Sequence, residues 1–220
     1  MIKLQRLIKK KVKYHYLQKI KQYLKKQRVN KLRRDLINAG IIDVLLQIFA
    51  KRDLDDITYP FTNAFFVFTY PSNLALCQLL VEKQPFPSLL RLLDHKVEDI
   101  INDVISSIDN IFYYAAIGTE ITKQHPFYTN LALAGGIEKI YSLFQQSSDK
   151  FYKKISAICL GIVFRAQEIN DSSMRKEVIT YLKSMYEDSR EDIRKLVRFS
   201  LQCVIAQKQE IESDHFVILE

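Results

Sequence analysis

Tryptophan is absent from this 220-residue chain, and glycine and proline are scarce, at five residues each. A β-sandwich or barrel spends far more of both on its turns, so the shortage points to helices. Three cysteines, Cys77, Cys159 and Cys203, are odd in number and widely spaced. They fit a reducing compartment and argue against a disulfide framework or a zinc module. No apolar run approaches the roughly 18 residues that a membrane-spanning helix needs. The start, Met-Ile-Lys-Leu-Gln-Arg, lacks the apolar core and small-residue cleavage site of a secretory signal. Residues 1–34 contain no Ser or Thr, unlike a mitochondrial presequence, so a cytoplasmic or nuclear location is expected.

Catalytic signatures are missing as well. There is no Gly-rich phosphate loop, no Gly-x-Ser-x-Gly and no His-Glu-x-x-His, and the expectation is a non-catalytic protein with no cofactor and no small-molecule substrate. His15, His95, His125 and His215 are scattered without a Cys, His, Asp or Glu at ligating spacing, so no metal site is expected. Cys159 and Cys203 fall on apolar helical faces and read as small buried hydrophobes.

Acidic residues are absent from the first 34 positions, which hold fourteen Lys or Arg. The rest of the chain carries nineteen basic against twenty-five acidic side chains, so the net +8 joins a basic arm to a mildly acidic body. Leu4, Ile8, Val12, Tyr16, Ile20 and Leu24 recur every four residues, the apolar stripe of an amphipathic helix. A helix over residues 3–34 would be about 48 Å long. Its candidate partner-binding clusters are Lys9, Lys10, Lys11 and Lys13, then Lys25, Lys26 and Arg28, then Lys31, Arg33 and Arg34. The arm is a binding element or a solvated basic helix. As a binding element it suits an acidic protein surface, nucleic acid (Tyr14, Tyr16 and Tyr23 stacking on bases) or an anionic membrane.

The body repeats itself. Ala39-Gly40-Ile41-Ile42-Asp43-Val44-Leu45-Leu46-Gln47-Ile48-Phe49 returns as Ala134-Gly135-Gly136-Ile137-Glu138-Lys139-Ile140-Tyr141-Ser142-Leu143-Phe144. Phe86–Leu93 fits the same frame with Gln84 in the glycine slot, and Ile179–Tyr186 fits it with Glu177 there. The slots 40, 84, 135 and 177 are 44, 51 and 42 residues apart, the longest interval holding an insertion around Ile117–Tyr128. A short turn and a longer amphipathic helix follow each later copy: Val97–Tyr114, Lys150–Arg165 and Glu191–Ala206. In the first of these, Val97, Ile101, Val104, Ile105, Ile108 and Phe112 form one apolar face, and Asp99, Asn102, Asp103, Ser106 and Asn110 the opposite stripe. Such helix pairs bury their apolar faces only by stacking on one another.

This frame resembles the armadillo repeat, whose pattern is Ala-Gly-x-Ile-x-x-Leu-x-x-Leu-Leu, a turn, and a helix ending near Leu-x-Asn. From Gln84 it reaches Asn110 in the terminal Asn slot without a gap, and from Glu177 it reaches Cys203. From Gly135 it reaches Ile162 with one extra residue, and Phe68 or Tyr70 stands in the slot of the first repeat. The resemblance implies an all-α armadillo- or HEAT-like α-solenoid of about four repeats, approximately 35–78, 79–116, 127–167 and 172–209, between the arm 1–34 and a tail 210–220. It further implies a protein-interaction adaptor whose peptide-binding groove includes Asp99, Asn102, Asp103, Ser106 and Asn110. A basic arm ahead of such repeats also resembles importin α, which implies an importin-β-like carrier for the arm and basic peptide cargo for the groove. The family ladder of Trp and Asn is reduced here to Asn110, with Ser106 in the Trp slot. The alternative expectation is a structural subunit whose arm docks it into a larger assembly.

Overall fold

The computed structural model describes residues 29–205, Glu168 excepted. The arm clusters Lys9 to Lys13 and Lys25 to Arg28, most of the expected helix 3–34, and the tail 210–220 lie outside the described residues. The chain divides into two compact units between Ile41 and Ile42. In the first, residues 29–38 are helical (α1) and carry Lys31, Arg33 and Arg34; Arg33 donates to Asn30 Oδ1 at 3.5 Å. Gly40 ends that helix at φ +87°, the left-handed conformation glycine adopts without steric cost.

All regular elements among the described residues are helices. After α1 come α2 (Ile41–Lys51), a single 3-10 turn at Leu54–Asp56, α3 (Tyr59–Thr69), α4 (Leu74–Glu82), α5 (Phe86–Leu92) and α6 (Glu98–Ile117). Then follow α7 (Tyr128–Leu133), α8 (Gly136–Gln146), α9 (Lys150–Val163), α10 (Ser172–Ser184) and α11 (Glu191–Ile205). Local chemistry sets the starts. Asn73 Oδ1 accepts from Leu76 N, Asp149 Oδ1 from Phe151 N and Tyr152 N, and Asp171 Oδ1 from Ser173 N and Met174 N. Each satisfies amides that a helix cannot pair for itself. The expected repeat boundary at 78/79 falls inside α4, a helix capped at its start by Asn73.

The glycine slot is a conformation before it is a residue. Gly135 stands at φ +68° between α7 and α8, and Gln84 takes φ +52° between α4 and α5, the strain of a side chain notwithstanding. Glu177 lies in the middle of α10, so the last repeat has one continuous helix where the others have two joined by a left-handed turn.

The long helices form a row. α3 packs on α6, α6 on α9 and α9 on α11, while α4 and α5 lie behind α6, and α8 and α10 behind α9. Thr62 Oγ1 donates to Asp103 Oδ2 at 3.0 Å, and one step of seven residues further along both helices Asn110 Nδ2 donates to Thr69 Oγ1 at 3.3 Å, so α3 and α6 run parallel. α6 and α9 are parallel too, because Tyr152 OH donates to Glu98 O at their starts and Arg165 Nη1 to Ala116 O at their ends. Bonds between neighbouring repeats keep the repeat period. Ser88 to Leu46 O, Arg91 to Phe49 O and Ser200 to Ile158 O each span 42 residues, and His95 to Leu54 O spans 41. A Cβ on Gly161 would stand 2.0 Å from Ser200 Oγ, so glycine is what lets α9 and α11 approach.

The insertion is anchored rather than merely accommodated. Its loop lies between α6 and α7, and the fully buried Arg165 donates to Lys123 O, Ala116 O, Thr119 Oγ1 and Gln124 O. His125, also buried, donates from Nε2 to Phe112 O at 2.9 Å while Nδ1 accepts from Phe127 N at 3.1 Å. Burial lowers its pKa to about 3, so it is neutral at physiological pH. His95 has the same arrangement, Nε2 to Leu54 O at 2.7 Å and Nδ1 accepting from Val97 N at 2.9 Å.

Candidate binding face

Helix α6 is enclosed by α3, α9, α4 and α5, and one stripe escapes. Asp99 and Ile117 are exposed, and Asn102, Ser106, Asn110 and Tyr113 are half-buried, at steps of three and four residues that keep them on one side of the helix. The residues named from the sequence have different fates along it. Asp99 stands free of the core at the helix start. Asp103 is buried and accepts from Thr62, and burial pushes its carboxyl above the usual range against the pull of the Thr62 and Asn63 hydrogen bonds. Asn102 Oδ1 is shielded from solvent without a hydrogen-bond partner. Ser106 is half-buried, and Asn110 gives its amide to Thr69.

In the third and fourth repeats the terminal Asn slot is closed. Ile162 and Cys203 are both fully buried, and α9 is buried without a break from Ile155 to Arg165. A ladder of exposed amides is therefore reduced to the single Asn110.

Aromatic rings cross the row instead. Phe66 stacks on Tyr70 with centroids 6.3 Å apart, Tyr70 meets Tyr114 at 6.5 Å, Tyr114 meets Tyr113 at 5.3 Å, and Tyr113 meets Phe199 at 5.6 Å. These five rings join α3, α6 and α11 into one band. Tyr70 is 55% exposed and the other four are half-buried. Partial burial, with Tyr70 beside it, raises the Tyr114 phenol above its ordinary value. The sequence reading touched only Tyr70, as an occupant of the Asn slot. The remaining rings have no common place in the repeat frame, so periodicity could not collect them.

No three His, Cys, Asp or Glu side chains among the described residues converge on a metal-sized space. Burial raises the thiols of Cys77 to about 11 and Cys203 to about 12, and pushes that of Cys159 well above its ordinary value, which disfavours the thiolate that reactivity needs. No described helix is long and apolar enough to cross a membrane.

No family model matches the chain, and no curated protein does. Solved structures do. A designed armadillo repeat protein in complex with the peptide (KR)4 superposes with a TM-score of 0.54 at 18% identity, over 80% of this chain and 69% of that one. A computationally designed armadillo repeat protein for modular peptide recognition gives 0.53 at 18% identity, over 79% and 68%. An engineered protein gives 0.57 at 14% identity, over 82% and 67%. The fold is thus an all-α armadillo-like repeat solenoid.

Proposed function

We propose that the repeat body is a non-catalytic scaffold that binds an extended peptide or protein segment on the open stripe of its long-helix row. The observation that carries this reading is the band of five rings across α3, α6 and α11, because partly exposed aromatics supply large contact area at small entropic cost. Two proteins of like fold support it, one in complex with the (KR)4 peptide and one designed for modular peptide recognition. Selection of a displayed random-peptide library on the full chain, followed by amide-exchange mapping of the winners, tests it. Protection over residues 63–70 and 106–114 is expected. No enrichment, or protection confined to the helices behind the row, would sink the reading.

A finer reading, favoured by the charge split, makes the protein an importin-α-like adaptor of cytoplasm and nucleus, its arm held by an importin-β-like carrier. Deletion of residues 1–34 should then abolish both carrier capture and nuclear accumulation. If both persist, the arm serves instead as a dock on acidic protein, RNA or anionic membrane, and its binding should weaken steeply with salt.

A further inference from the structure

We infer that a groove behind the long-helix row, on the last two repeats, is the dock for the chain's own acidic tail, residues 209–220. It has a volume of about 720 Å³ and is bounded by the end of α8, the start of α9 and one face of α10 over residues 173–184. A second groove of about 440 Å³ adjoins it along α10 and shares Lys176 and Thr180 with it.

A cation without a carboxylate marks the larger groove. Lys153 Nζ stands 5.2 Å from the ring centre of Phe144 and 5.6 Å from that of Tyr181. Its neighbour Lys154 is paired with Asp188, but Lys153 has no ion pair among the described residues. Neither has Lys176 nor, in the smaller groove, Arg175. Glu177 is the one described acid lining either groove, and it already accepts from Gln145 Nε2 at 3.3 Å and from the Tyr141 hydroxyl. An ammonium held over rings has given up part of its hydration, so a carboxylate brought to it forms a charge-assisted hydrogen bond at smaller desolvation cost. The fitting ligand carries carboxylates beside apolar side chains, the latter for the half-buried Tyr181 and Ile179.

Sign and reach select the occupant. Residues 1–34, with fourteen Lys or Arg and no acid, are excluded by their charge. Residues 209–220 hold Glu210, Glu212, Asp214 and Glu220 and no Lys or Arg, with Ile211 and Phe216-Val217-Ile218-Leu219 among the carboxylates. Helix α11 runs parallel to α9, because Lys154 pairs with Asp188 near their starts and Ser200 donates to Ile158 O further along. Its end therefore lies on the side where α9 ends and α10 begins. The smaller groove, lined by Ile169, Asn170 and Ser172, sits at that start of α10 and leads to the larger one. The nine residues from Ile205 to Asp214 can span about 30 Å, against about 20 Å for the length of α10. Tethering gives the tail an effective concentration in the millimolar range, so modest contacts fill the groove and screen it from acidic segments of other proteins.

Fluorescence polarisation with the full chain and a labelled peptide of residues 209–220 tests the inference. Glu210→Gln, Glu212→Gln and Asp214→Asn together should vacate the groove, and the peptide should bind this tail variant at least about tenfold more tightly than the wild-type chain. Adding Lys153→Gln and Lys176→Gln should abolish that gain, with circular dichroism unchanged. Thr180→Glu, at an exposed position lining both grooves, should do the same while leaving Lys153 on its rings. Equal affinity for the wild-type chain and the tail variant would overturn the inference, since the tail would then not hold the groove. It fails as well if the peptide binds neither protein. Tight binding that survives both groove changes would place the dock elsewhere and overturn it too.

Discussion

Tyr113 of α6 and Phe199 of α11 meet nearly at right angles, centroids 5.6 Å apart, although α9 lies between their helices in the row. The pair spans three helices with one ring contact. It ties the second repeat to the fourth without passing through the third.

Such an edge-on pair contributes about 0.5–1.5 kcal/mol beyond the area it buries. A double-mutant cycle with Tyr113→Leu and Phe199→Leu, followed by urea denaturation, should return a coupling energy in that range. Strict additivity of the two substitutions would show that the rings touch without cooperating.

Asp109 gives the scaffold a pH dependence of defined sign. It lies on α6, 5% exposed, with Oδ1 lacking a hydrogen-bond partner, and burial raises its carboxyl from 3.8 to about 7. The folded state therefore keeps a proton that the unfolded state releases. Stability should fall as pH rises from about 4 to about 7 and level off above, by on the order of 4 kcal/mol. Asp109→Asn should remove that slope and be the more stable protein at pH 8. Urea midpoints measured across pH 4–8 decide it; parallel curves for the two proteins would exclude a buried, protonated Asp109.

Arg165 should be among the most sensitive positions. Its guanidinium is buried and gives hydrogen bonds to three carbonyls and one hydroxyl, which its planar fork can reach together and an ammonium cannot. Arg165→Lys and Arg165→Met should each cost about 3 kcal/mol or more, in line with breaking a buried polar network. Amide exchange should accelerate over residues 118–127 in both. Retention of wild-type protection there would mean that the insertion is held by other contacts.

The left-handed slot offers a stabilising change. Gln84 at φ +52° carries a cost of about 1 kcal/mol that glycine escapes. Gln84→Gly should raise the thermal midpoint, net of the extra entropy of an unfolded glycine. Gly135→Ala should lower it by a similar amount through backbone strain alone, because nothing lies within 4 Å of the added methyl. A fall for Gln84→Gly would show that its side chain contributes more than its conformation costs.

These examples also mark what a single sequence discloses. The frame put Gln84 in the glycine slot because the flanking leucines kept their spacing, and the structure has a left-handed residue there. It placed the long helices α6, α9 and α11 to within a few residues for the same reason. It also put Glu177 in the glycine slot, and there α10 continues its helix without a turn. The role of Asp103 was hidden for a different reason: its partner Thr62 lies one period away, and a polar residue on a polar stripe gives no sign of being buried. The ring band was hidden because it joins different slots on different helices. Arg165 shows the general limit, since its acceptors are backbone atoms and backbone atoms leave no letter in the sequence.

The hydrogen bonds that reach just one period have a mechanical meaning. From Ile42 onward each repeat is fastened chiefly to its immediate neighbours, like springs joined end to end, so compliances add along the chain. Small rotations at successive joints then sum to a large displacement between distant helices. The Tyr113–Phe199 contact bridges two of those joints at once, stiffening the stretch from α6 to α11 while the joint between α3 and α6 keeps its own give.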